Sequence, residues 1–169
     1  MLRPGGNMNK VIKVWNEFMT AVGVLGLTGF IVSVLIQVVA RTFLPTAPNW
    51  TEEAARFLFI YMVAFAGNAA VLSDEYVGVE LLTESLPKNI QRIIKLLIYV
   101  VMIIFSGFVF SKCVMSAEGL IAITPPGMVS TALELPMKYV YFAEAILFGG
   151  YIISYILRFY MELTQKKEA

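Results

Sequence analysis

The chain has 169 residues, 59% of them hydrophobic and only 15% charged, with a mean hydropathy of +0.76. Soluble domains carry about 25% charged residues, so this composition names lipid rather than water as the main solvent. A net charge of +1 gives no basic footprint for a nucleic-acid binder. The complete lack of histidine removes bis-histidine haem, the common zinc sites and Ser-His or Cys-His catalysis, so no enzymatic chemistry and no bound cofactor are expected.

The first seventeen residues are short and basic, with Arg3, Lys10 and Lys13 set against Glu17. A charge-free run follows from Phe18 to Ala40. At 1.5 Å per residue it reaches roughly 35 Å, enough for a tilted crossing of a hydrocarbon core about 30 Å thick. Val38-Val39-Ala40 faintly resembles a signal-peptide cleavage site, but the run exceeds a signal peptide's apolar core of about 7–15 residues. The first membrane helix is placed at residues 14–43. Pro45 and Pro48 then break the chain into a short loop.

The second helix, 51–73, opens on Trp50-Thr51-Glu52-Glu53 and has no charge from Phe57 to Ser73. Thr51 is read as a helix cap, with Glu52 and Glu53 at the positive end of the helix dipole. Glu52 and Arg56 stand i,i+4 with the acid first, the favourable order for a helical pair. Asp74 to Pro87 is neither core nor plain loop. Val77, Leu81 and Leu82 share one helical face and Glu80 and Glu84 another, which fits either a short helix lying in the membrane interface or a solvated loop.

Lys88, Arg92 and Lys95 lead into a third helix, 90–116, whose charge-free core runs from Leu96 to Ser111. Its only cysteine, Cys113, cannot form an intrachain disulfide and reads as a buried, inert thiol. Thr124-Pro125-Pro126-Gly127 forms a rigid loop, and a fourth helix, 135–160, starts at Leu135-Pro136. The fold class is therefore all-α, a single membrane domain of four transmembrane helices over residues 1–169. Basic residues concentrate at the termini and around Lys88–Lys95, so the positive-inside rule puts both termini in the cytoplasm.

Each helix holds one pair of small residues at i,i+4, namely Gly29/Ser33, Ala66/Ala70, Gly107/Ser111 and Gly150/Ser154, which favours close helix packing. Gln37 and Asn68 are polar groups within the first two helices. Hydrogen bonding between helices is the simpler reading for them, and contact with a transported substrate the sharper one. Glu144 lies inside the fourth helix, where a charge costs about 2.5–3.5 kcal/mol on insertion scales. Helical rise places Lys112 at a similar depth, so a Lys112–Glu144 pair, within the chain or between subunits, is expected.

Arg41, then Trp50-x-Glu52-Glu53-x-x-Arg56, then a Phe/Tyr/Met run ending at Gly67 resembles the small membrane subunit of TRAP (tripartite ATP-independent periplasmic) transporters, the DctQ-like family. Asp74-Glu75-Tyr76-Val77-Gly78-Val79-Glu80-Leu81-Leu82 and Leu133-Glu134-Leu135-Pro136-Met137, followed by Tyr141, are similar to later stretches of that family. The resemblance implies a multi-pass protein of the bacterial inner membrane, surrounded by membrane lipids. Its partners would be a large multi-spanning membrane subunit, which holds sodium and substrate and moves as an elevator, and a periplasmic substrate-binding protein. The small subunit would brace the large one during import of an organic acid, of the sialic acid or C4-dicarboxylate class. On this resemblance Arg41, Trp50, Glu52, Glu53 and Arg56 belong to the outer surface near those partners, and Tyr76, Val77, Leu81 and Leu82 form an interfacial brace.

Two departures stand out. Tyr76 replaces a frequent histidine, so no titrating histidine can act there, and Glu144 falls where proline is frequent. Two rival readings are a self-sufficient four-helix exporter working as a homodimer and a membrane anchor of another complex. The first would call for an acid in the first helix, and Phe18–Ala40 has none. A respiratory anchor would hold haem or quinone largely through histidines, and the chain has none.

Overall fold

A computed structural model describes residues 6–46, 48–73, 87–115 and 127–165. Four long helices make up nearly all of it: α1 (Gly6–Phe43), α2 (Asn49–Ser73), α3 (Lys88–Phe110) and α4 (Met137–Gln165). One π-helical turn, Ser111–Met115, extends α3. Each helix is long and apolar enough to cross a membrane. A helix satisfies its backbone hydrogen bonds internally, which is what lipid demands of a spanning segment.

The helix limits differ from the sequence expectation mainly at the ends. α1 begins at Gly6 rather than near residue 14, because its basic first turns continue the helix and Lys13 pairs with Glu17 at i,i+4 (3.6 Å). α4 starts at Met137, directly after Pro136, and runs on to Gln165. The Tyr76, Val77, Leu81 and Leu82 brace lies outside the described residues.

The helices pack in the order α1–α2–α4–α3. α1 runs antiparallel to α2, with Gly23 opposite Ala66, Gly26 opposite Met62 and Gly29 opposite Leu58. At Gly23 an added Cβ would sit 3.0 Å from the Ala66 Cβ, so the bare backbone is what allows this approach. α2 and α4 run parallel, and α3 returns antiparallel to α4 through Phe105–Phe148 and Tyr99–Tyr155 ring contacts at 6.0 and 6.1 Å.

The centre of the bundle is small and polar rather than bulky. Asn68, Ser154 and Ser106 are fully buried, beside Ala64, Ala143 and Ala145. Asn68 Nδ2 donates to Ala64 O on its own helix (2.7 Å) and to Leu147 O of α4 (3.4 Å). Its Oδ1 accepts from Ser154 Oγ (3.5 Å), which in turn accepts from Trp15 Nε1 of α1 (3.1 Å). Three helices thus meet at one hydrogen-bonded chain. Gly150 makes room for it, since a Cβ there would lie 2.4 Å from Asn68 Nδ2.

Near the end of the bundle where α1 begins and α4 ends, Arg158 Nε donates to Val71 O (3.0 Å), and Arg92 and Glu162 form a partly buried ion pair (Nε–Oε1 3.6 Å). Both contacts tie α4 to a neighbour. The outer helices look the other way. Only 11% of the spanning stretch of α1 and 6% of that of α3 is buried within the chain, against 33% for α2 and 28% for α4. Leu25 and Ile104 are exposed, as apolar residues are when lipid or another membrane protein is the surroundings.

The glycines separate two kinds of position. Gly150→Ala should lower stability by roughly 1–3 kcal/mol, because Asn68 is held on both sides and cannot yield. At Gly107 an added Cβ meets nothing within 4 Å, so Gly107→Ala should be neutral or stabilising. Thermal unfolding midpoints of the two variants in detergent test this, and equal midpoints would contradict the close α2–α4 contact.

Candidate functional site

The charged residues singled out by sequence cluster where α1 ends, α2 begins and the 127–136 loop enters α4. Two turns before the end of α1, Gln37 reaches across to α2. Its amide nitrogen donates to Pro48 O (3.2 Å) and meets the Thr51 hydroxyl, while its oxygen accepts from Arg41 Nε (3.0 Å) and Nη2 (3.1 Å). Only this orientation of the amide sets oxygen against donors and nitrogen against acceptors.

Thr51 does not cap α2. The helix already starts at Asn49, and the fully buried Thr51 hydroxyl donates to Pro48 O (2.8 Å) instead of accepting from a backbone N–H. The residue closes the α1–α2 corner. Gln37 therefore bonds between helices, as does Asn68.

Glu52 and Glu53 point in different directions because successive helical residues are about 100° apart. Glu52 turns towards α1. Its carboxylate pairs with Arg41 Nη2 at 3.3 Å and with Arg56 Nη2 at 3.9 Å, all three side chains being more than half exposed. Exposed pairs of this kind contribute about 0.2–1 kcal/mol each, so the group is available for other contacts at little cost. Trp50, at the same end of α2, is 45% exposed.

Glu53 is committed within the chain. Its Oε1 accepts from Thr131 N (2.9 Å) and Thr131 Oγ1 (2.7 Å), and its Oε2 from Ala132 N (3.1 Å) and Leu133 N (2.9 Å). The loop that presents these donors is a small closed unit. Ser130 N donates to Leu135 O (2.9 Å), Met137 N to Met128 O (3.0 Å), and Val129 bridges Pro136. Glu134 takes the left-handed conformation (φ 52°) that the turn requires. A carboxylate bonded to three consecutive amides and a hydroxyl is an anchor, and it fixes the entry of α4 against the start of α2. Below it, Tyr61 OH donates to Tyr139 O (2.6 Å), a second tie between the same helices.

The expected intrachain Lys112–Glu144 pair is not formed. Lys112 Nζ lies over the Phe108 ring, 5.8 Å from its centroid, on an exposed face of α3. The neighbouring Cys113, buried and free, is the side chain that faces the Glu144 carboxyl. The physical reason is angular. Lys112 and Cys113 leave the π-helical turn in different directions, and it is Cys113 that faces α4. Glu144 also lines an open, largely apolar groove between α2 and α4 with Ile60, Val63, Val140, Tyr141 and Phe148.

Comparison with known families identifies the chain. Residues 30–165 match the family described as tripartite ATP-independent periplasmic transporters, DctQ component. The chain belongs to the DctQ family. The match takes in the last third of α1 and all of α2, α3 and α4. DctQ proteins are a transporter component rather than an enzyme family. The chain is also similar to a protein of Haemophilus influenzae (strain 86-028NP) named sialic acid TRAP transporter permease protein SiaT, with 28% identity over 78 residues. That alignment takes in 44% of this chain and only 13% of the relative, so the chain spans a small part of the relative's length. No solved structure matches.

In this DctQ-family chain the structure gathers Arg41, Glu52 and Arg56 on one exposed surface, leaves Trp50 half-exposed at the start of α2 and turns Glu53 into the fold. Sequence reasoning did not single out Thr131 or Ser130, the receiving side of that anchor. Nothing in their local pattern pairs them with a residue about 78 positions away. Nor did it give Trp15 a role, although an indole N–H that becomes buried requires an acceptor.

Replacing Glu53 by Gln keeps its size but sets an amide N–H against backbone N–H groups. Hydrogen exchange at Thr131–Leu133 should quicken at least tenfold, because these amides lose their acceptor. Glu52→Gln should leave those amides unchanged. Equal exchange in both variants would rule out the Glu53 anchor.

Proposed function

We propose that this chain is the small subunit of a sodium-driven, binding-protein-dependent TRAP transporter that imports an organic acid, and that it braces a large multi-spanning subunit. The observation that carries the reading is the DctQ match across all four helices. The similarity to a protein named for sialic acid transport favours sialic acid over a C4-dicarboxylate as the cargo. Sodium and substrate sites are assigned to the large subunit, and cargo is delivered by a periplasmic binding protein.

On this reading the protein is multi-pass in the bacterial inner membrane, with both termini cytoplasmic by the positive-inside rule. The Arg41–Glu52–Arg56 group and Trp50 then stand at the periplasmic surface, near the binding protein or the exposed part of the large subunit. A bracing role agrees with how the chain is tied together. The Asn68 chain, the Glu53 anchor and the Arg92–Glu162 pair join neighbouring helices at several levels, as suits a part that stays still while another moves. The sparsely buried α1 and α3 offer wide apolar faces to a membrane partner.

Affinity purification from native membranes in mild detergent tests the reading. A tag at the C-terminus should bring down one much larger multi-spanning protein in a one-to-one ratio. Cells lacking the chain should lose sodium-dependent uptake of labelled sialic acid. A chain that purifies alone as a stable homodimer, or uptake that persists in the deletion, would refute the proposal.

A further inference from the structure

The groove between α2 and α4 raises a question the bracing role leaves open. It measures about 340 Å³ and is open on one side, and its lining is almost entirely apolar apart from Glu144. Among the described residues no cation pairs with that carboxyl. The ion pairs are Lys13–Glu17, Arg41–Glu52, Arg56–Glu52 and Arg92–Glu162, and the nearby Lys112 is turned towards Phe108. From α3, the Cys113 thiol faces it. A thiol is a weak donor and does not offset the desolvation of a carboxylate in a membrane helix.

We propose that this groove seats a transmembrane helix of the large subunit that carries a lysine or arginine opposite Glu144. The inference rests on the TRAP reading and adds where the partner sits and what it brings. Charge complementarity selects the occupant. An acyl chain would fill the apolar part of the groove but leave the carboxyl without a counter-charge. A cationic lipid headgroup stays at the interface, while Glu144 lies two turns into α4, about 10 Å below Met137. A basic side chain on a neighbouring helix reaches that depth and is itself offset there, since intramembrane ionisable groups pair with one another. The groove wall is shaped for such a helix, with the small Ala64 and Ala143 at its floor.

The experiment uses the full complex in membranes. A photo-reactive benzophenone side chain is placed at Val63 and, separately, at Val140, both lining the groove, with Glu144 left intact. Irradiation should join both positions to a single helix of the large subunit, and peptide sequencing should find a Lys or Arg within two turns of the adduct. Adducts only to lipid or to the chain itself, or a joined helix without a basic residue, would overturn the proposal.

Substitution supplies a second readout. Glu144→Gln should reduce the large subunit retained on the tagged chain at least fivefold after detergent washing. Glu144→Lys should abolish retention, and an acid at the joined basic position of the partner should restore it. Lys112→Met should retain the partner at the wild-type level. Full retention by Glu144→Gln would mean that no charge at this position holds the partner. A loss with Lys112→Met equal to that of Glu144→Gln would mean that the pair is internal. Either result refutes the partner cation. If the unmodified chain retains no large subunit at all, the TRAP reading itself fails, which is a different outcome from retention without groove adducts.

Discussion

The hydrogen-bonded chain from Trp15 through Ser154 to Asn68, with Gly150 beneath it, is the constraint on which the bundle depends. Lipid gives helices no hydrophobic reason to prefer one another, so contact must come from close packing and from polar groups that require partners. Asn68 supplies both. Its amide is fully buried, is bonded to α4, and fits only because Gly150 lacks a side chain. The parallel register of α2 and α4 follows from this contact. Trp15 then brings α1 to the same point from the opposite side.

A second, different solution holds the other end of the molecule. There the chain leaves the apolar helices and must re-enter, and the task is to fix loops. Gln37 and Thr51 close the corner between α1 and α2, and Glu53 gathers three amides and a hydroxyl of the 131–133 turn. Adjacent acids divide the work. Glu53 is spent on folding, while Glu52 stays with Arg41 and Arg56 on the surface, where a partner can compete for it at small cost.

Taken together, the central pair α2 and α4 is bonded inward, and the outer pair α1 and α3 presents most of its residues outward. Such a division suits a subunit that is rigid in itself and incomplete on its surface. Under the proposed function, a large membrane subunit would cover part of that surface. Glu144 is the sharpest sign of incompleteness, because a carboxyl two turns inside a membrane helix faces a groove and, among the described residues, has no cation paired with it.

The amino-acid sequence by itself determined the membrane class, the four helices and the family. These depend on local quantities: charge-free runs long enough to cross hydrocarbon, proline and glycine between them, and motifs read in order. It also marked Gln37, Asn68 and Glu144 as unusual, since a polar group in an apolar run is visible without a structure, and Glu53 as a charge at the start of α2. Which partner each one takes was decided by the tertiary structure alone. Asn68 meets Leu147 and Ser154 across some eighty residues, Glu53 meets Thr131–Leu133, and Glu144 meets Cys113 rather than Lys112. Depth along a helix can be counted from sequence, but the direction in which a side chain leaves it is set by the helix crossings and, at Cys113, by a π-helical turn. That angular information arises only when the helices pack.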